Sequence, residues 1–240
     1  MTNPFNAQIQ RLIATNDGPL LFINAHILTG DSLIGNFEQA DLLLGGERIV
    51  AIGPGLVNAA EDDQAAVIDC QGRTILPASL ESFKLYVADE TREHNPHTLS
   101  PGNLASFIIL PSQDADALFY NGGDPVGYNA SECTVIIRGK LSSSSAPTNT
   151  RDGNPASEDQ AEEIPAKYLG TWIDENDFVH QTLTADGRYD ETRGGRAHAF
   201  QGSFWITGER IDYRDDLGFW AFGEFKDDVL YHAGYTFHRA

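Results

Sequence analysis

The sequence predicts an all-β chain, a small β-sandwich followed by an up-and-down antiparallel β-barrel. Three observations carry this. Short apolar runs rich in Leu, Ile and Val recur through residues 1–141, each closed by Gly, Asp or Asn. A stretch rich in Ser, Pro, Asp and Glu at 142–166 then interrupts the pattern with almost no apolar side chain. Beyond it, seven strand-like runs follow one another across two- to four-residue turns and hold most of the chain's aromatic residues.

At 240 residues the chain has room for two modest cores. The three segments 1–141, 142–166 and 167–240 each carry more acidic than basic side chains, within a net charge of −19. Acid everywhere repels phosphate backbones and anionic headgroups, which argues against nucleic-acid and membrane-surface partners. The first twenty residues lack a basic start and a continuous apolar stretch, and no apolar run approaches the ~20 residues of a membrane span. A cytoplasmic protein is expected. Cys70 and Cys133 are far apart and without metal or redox spacing, so they are expected to be buried thiols.

Element by element, Pro4 to Ala14 places Phe5, Ile9, Leu12 and Ile13 at helical spacing, and Asn16-Asp17-Gly18-Pro19 ends the helix. Strands follow at Leu20–Leu28, Ala40–Gly53 and Ala65–Pro77. The middle run breaks at Gly45-Gly46-Glu47, a hairpin turn. This order, with GGERIVAIG and VIDCQGRTILP, resembles the composite β-sandwich of the amidohydrolase superfamily of metal-dependent hydrolases.

In that family a (β/α)8 barrel of ~250 residues follows, opening with a His-x-His metal pair. Here LPASLESFKLY puts Phe83 and Leu85 where the histidines would stand, and neither side chain offers a lone pair to a metal. PGNLASFIIL and CTVIIRGKL resemble the strands that close the sandwich, with Ser106 in place of an aspartate. Only 14 residues separate Tyr86 from Pro101, so the catalytic barrel is missing. The resemblance spans about Leu20 to Leu141 and implies the scaffold without its chemistry. His94 and His97 lie in a polar loop, as does most of Pro111–Ser131, and no metal site and no cofactor are expected.

Residues 142–166 read as a flexible linker. From Lys167 on, the runs YLGTWID, FVHQTLT, RYDETR, HAFQGSFWIT, RIDYR, FWAFGEFK and VLYHAGYTFHR form a meander, and so aromatic a sheet is expected to close into a barrel. Gly170 to Trp172, Leu183 with DGRYDETR, Phe200-Gln201-Gly202, Ile211 with Tyr213, DDLGFWAFGEF and LYHAGYTFHR together resemble an uncharacterised streptavidin-like, calycin-like family of small barrels. That resemblance covers about Tyr168 to the end. It implies a pocket at one end and no shared catalytic mechanism.

Period-two alternation puts Tyr189, Glu191 and Arg193 on one face, and a polar residue facing into such a barrel must find a partner, which for Glu191 is Arg193 or a Tyr hydroxyl. Candidate acid-base groups are His180, Glu191 and His232, the histidines acquiring that role only beside Glu191 or Asp216. Candidate ligand-binding residues are Trp172, Tyr189, Arg193, Trp205, Tyr213, Trp220, Phe222 and Tyr235.

The function expected first is a metal-free, cofactor-free enzyme that holds a small apolar or aromatic substrate for cyclisation, cycloaddition or isomerisation, since a simple carrier would not need a second folded domain. The alternative is a calycin-like module that binds such a molecule without turnover. A C–N hydrolase is disfavoured by Phe83 and Leu85. A homodimer is compatible with the sequence but not indicated by it.

Overall fold

The computed structural model describes residues 4–16, 18–78, 98–111, 133–142 and 164–240. Phe83, Leu85, His94, His97, most of the 111–131 stretch and the body of the expected linker lie outside these residues. The chain divides into two compact units, Met1–Glu158 and Asp159–Ala240.

The first unit opens with α1 (Pro4–Thr15), which buries Phe5 and Ile9 one turn apart; Arg73 lies 4.3 Å above the Phe5 ring. Its sheet is arranged around β1 (Leu20–Ile27). On one side β1 pairs antiparallel with β2 (Phe37–Gly45), which turns at Gly46-Glu47 into β3 (Arg48–Gly53), the hairpin read from the sequence. On the other side β1 runs parallel to two strands in succession, β4 (Ala66–Asp69) and β5 (Thr74–Pro77). A register shift between Phe22 and Ala25, with Asn24 at φ 56°, separates the two halves.

The chain continues antiparallel through β6 (Phe107–Leu110), β7 (Thr134–Ile137) and β8 (Lys140–Leu141). A short α2 (Val57–Asp62) was not expected. The described core is mostly aliphatic and includes Phe22 and Phe107, whose rings meet edge to face at 5.4 Å. Cys70 is buried, and burial pushes its thiol up to about 12, so it is an inert core residue.

The second unit is a closed eight-stranded antiparallel barrel: β9 (Gly170–Asp174), β10 (Val179–Leu183), β11 (Arg188–Arg193), β12 (Arg196–Thr207), β13 (Arg210–Asp215), β14 (Trp220–Lys226), β15 (Val229–His232) and β16 (Tyr235–Arg239). Every strand pairs with its sequence neighbours, and β16 returns to β9. The mostly β fold class and the up-and-down barrel are those expected. The last run, VLYHAGYTFHR, is two strands rather than one. Ala233 and Gly234 both adopt positive φ, 51° and 87°, and make a two-residue reversal that an alanine at its first position hides in the sequence.

Up-and-down connection puts four turns, 175–178, 194–195, 216–219 and 233–234, at one end of the barrel. Toward the other end, Tyr168 stacks on Phe225 at 4.2 Å and accepts the Trp172 indole N–H on its carbonyl at 2.9 Å. At the four-turn end Asp174 organises the β9–β10 turn, taking N–H bonds from Asn176 (3.0 Å), Phe178 (2.7 Å) and Val179 (2.5 Å). Burial alone would raise the Asp174 carboxyl, but these donors hold it below the ordinary carboxylate range.

A lowered folded-state value gives stability that is present above the ordinary value and lost as pH falls through the lowered one. Asp174→Ala is therefore expected to cost about 1–2 kcal/mol at neutral pH, as for a lost cap, and much less near pH ~2. Urea unfolding at the two pH values checks this; equal losses would contradict it.

Candidate functional site

An eight-stranded barrel is just wide enough for inward side chains to fill it, so each inward polar group must be paired by another. Alternation selects Gln181 on β10, Glu191 and Arg193 on β11, and Tyr213 on β13 for the interior, where Glu191 is 2 % and Arg193 5 % exposed. They form one hydrogen-bonded column. Arg193 donates through Nε to Glu191 Oε1 at 2.5 Å, Gln181 donates through Nε2 to Glu191 Oε2 at 3.1 Å, and the Tyr213 hydroxyl donates to Gln181 Oε1 at 2.7 Å.

Because an ionised carboxylate only accepts, the amide of Gln181 can face Glu191 one way round, and its oxygen is left for Tyr213. Burial, with the Glu191 charge nearby, raises the Tyr213 hydroxyl well above its ordinary value and keeps it a donor.

Aromatic rings wall this column toward the four-turn end. The Arg193 guanidinium carbon lies 5.2 Å from the Phe200 ring centre and 5.5 Å from that of Tyr235. His232 packs its ring against Tyr213 at 4.7 Å and lies 2.7 Å through Nδ1 from the Phe222 carbonyl. A carbonyl accepts only, so Nδ1 carries the hydrogen and the tautomer is fixed. Tyr189 meets Tyr213 edge to face at 5.1 Å and donates its hydroxyl to Asp215 Oδ2 at 2.6 Å.

Of the expected ligand-binding residues, Tyr189, Arg193, Tyr213 and Tyr235 come together here with Glu191 and His232. Trp172 packs toward the opposite end, 5.1 Å from Phe225. Trp205, Trp220 and Phe222 stand on the outward register of β12 and β14, where Trp205 is 38 % exposed and stacks on Trp220 at 5.8 Å. Phe222 lies beneath Arg210 there, 5.0 Å from its guanidinium carbon. His180 also faces outward and bonds Asp177 at 2.8 Å. Asp216, expected beside a histidine, pairs with Arg188 on the outer surface.

Sequence reasoning missed Gln181, Phe200 and Asp215. Gln181 was legible as a lone polar residue in step with Val179 and Leu183, both buried. Asp215 was obscured by its neighbour Asp216, since nothing in Asp-Asp shows which turns inward. Among the described residues, no group of three or more His, Cys, Asp or Glu is placed to hold a metal ion. No helix among them is long and apolar enough to cross a membrane.

A comparison with functionally curated proteins gives no match. Residues 165–239 match the family model described as Agrobacterium tumefaciens protein Atu4866. The solution structure of that protein shares 44% identity, over 30% of this chain and 92% of that one, with a TM-score of 0.29. A crystal structure of a triazine hydrolase variant shares 29% identity over 25% of this chain, TM-score 0.22. One of an amidohydrolase shares 25% identity over the same fraction, TM-score 0.21. The chain spans 13% of the length of each of these two enzymes. Through residues 165–239, covering its barrel, the chain belongs to the family of Agrobacterium tumefaciens protein Atu4866.

Proposed function

We propose that the barrel binds a small apolar or aromatic molecule at its four-turn end and releases it unchanged. The observation that supports this most is the Arg193 guanidinium, oriented by Glu191 and flanked by the Phe200 and Tyr235 rings. Rings give a planar ligand area and shape, and Arg193 and His232 give it a few oriented polar contacts.

Binding without turnover is favoured over catalysis by the state of the one interior carboxylate on the column. Both Glu191 oxygens are taken, by Arg193 and by Gln181, so Glu191 holds the column together rather than facing a substrate proton. A metal-free cyclisation, cycloaddition or isomerisation would have to work through shape and orientation alone.

Native mass spectrometry of the purified protein, compared with the same sample denatured, tests the reading. A stoichiometric small molecule is expected on release. Tyr235→Ala, a half-buried position at the rim, is expected to lower its occupancy about tenfold, the loss of about 1.4 kcal/mol of contact, with unchanged circular dichroism. Equal occupancy in wild type and variant would place the ligand elsewhere. Conversion of the released molecule by fresh protein would make the barrel an enzyme.

A further inference from the structure

The turn joining β13 to β14 is fastened at two points to β11, a strand it does not adjoin. Inside the barrel, Tyr189 reaches across β12 and donates to Asp215 Oδ2 at 2.6 Å. Outside, the preceding residue, Arg188, grips Asp216 with two donors, at 2.9 and 2.5 Å. Consecutive residues of one strand thus hold consecutive aspartates of the turn from opposite faces of the wall.

The crossings pass over small residues: Gly202 lies in register between Tyr189 and Asp215, and Ser203 between Arg188 and Arg214. Within the turn, Asp215 Oδ1 takes the Leu217 N–H at 2.7 Å, its carbonyl takes the Gly218 N–H at 2.9 Å, and its own N–H bonds the Phe219 carbonyl at 2.9 Å. Phe219, at the end of this turn, packs on Phe200 at 5.6 Å. The segment that carries the latch therefore also closes over one wall of the proposed site.

We propose that Asp215–Phe219 is a proton-controlled lid at the four-turn end, locked by Tyr189 from within and steadied by Arg188 from without. The two aspartates differ in kind. Asp215 is buried and has no cation among its described partners; Tyr189 on β11, the Leu217 and Gln201 backbone and the Asp216 side chain beside it are the groups that act on its carboxyl. Arg188 is engaged by Asp216, and Arg214 points outward over the Trp220 ring at 5.4 Å. Burial raises the Asp215 carboxyl above its ordinary value in spite of the Tyr189 bond.

In the open lid this carboxyl is solvated and ordinary, so the closed form binds a proton more tightly. Closure is therefore strongest when Asp215 is protonated and weakens as pH rises through the interval between the two values. Asp216, held low by Arg188, acts in the opposite sense only at more acid pH, and weakly, because the pair is exposed.

The proposal rests on the binding reading only for the lid's purpose; its motion is measured without ligand. Amide exchange is followed by NMR at Asp216, Leu217 and Gly218 from about pH 4 to about pH 7, corrected for the intrinsic pH dependence of exchange. Opening is expected to rise with pH, at most about tenfold per unit, while the Val179 amide across the barrel stays protected. In Asp215→Asn the dependence should vanish, and in Asp216→Asn it should persist on a higher baseline. A pH-independent lid in the wild type, or a slope that survives Asp215→Asn, overturns the proposal. Either result would leave the ligand measurement untouched.

Discussion

Arg193→Met is expected to destabilise the barrel by about 3–5 kcal/mol, because it strands the Glu191 carboxylate inside without its cation. Glu191 keeps one bond, from Gln181, and that amide is itself committed to Tyr213. The rings of Phe200 and Tyr235 lose their cation in the same step. Urea unfolding monitored by tryptophan fluorescence gives the number.

The companion test is the double replacement Glu191→Met with Arg193→Met. Exchanging a buried ion pair for apolar side chains of similar volume is often neutral, so most of the loss should return. Recovery would mean that the pair contributes orientation rather than stability, which fits a charge kept to present a guanidinium to a ligand. A loss below about 1 kcal/mol in the single variant would overturn the reading of Glu191 and Arg193 as mutually dependent partners.

Gly202→Ala should be nearly as damaging, at about 3 kcal/mol, the upper end for overpacking. A Cβ there would stand 2.7 Å from Tyr189 Cε1 and 2.8 Å from the Asp215 Cα, and it would also collide with the Arg214 carbonyl oxygen. Two of these obstacles are backbone and cannot rotate away. β12 and β13 must part and the Tyr189 ring must shift, which breaks its bond to Asp215. Ser203→Ala, one residue along and half-buried, is the control and should change stability by less than about 0.5 kcal/mol. Thermal unfolding of both variants decides it. If Gly202→Ala melts with the wild type, the contact between β11 and Asp215 is looser than the geometry states.

The barrel was legible because its strands alternate cleanly and most of its turns carry Gly or Asp. Tyr189, Glu191 and Arg193 could be placed on one face from period two alone, which left Arg193 and a Tyr hydroxyl as alternative partners for Glu191. Which face of each strand points inward was a different matter. Trp205, Trp220 and Phe222 looked like pocket residues because large aromatics usually bury themselves, yet two rings stacked on the outer wall shield each other. The partner of Gln181 lies 32 positions away at Tyr213, a contact that only closure creates. In the first unit the parallel pairing of β1 with β4 and β5 was hidden for the same reason, since parallel order depends on a crossover and not on local pattern.

The row Tyr189, Gly202, Asp215 also says how the barrel keeps its strands from sliding. Antiparallel ladders can slip by two residues and keep every backbone bond and every inward face. Were β12 to slip so, Phe200 or Phe204 would come under the Tyr189 ring in place of Gly202, and the phenol could no longer cross to Asp215. One residue without a side chain therefore acts as the notch into which a ring on the next strand drops. The barrel's stagger, and with it the width of its bore, is pinned there by shape rather than by the backbone ladder.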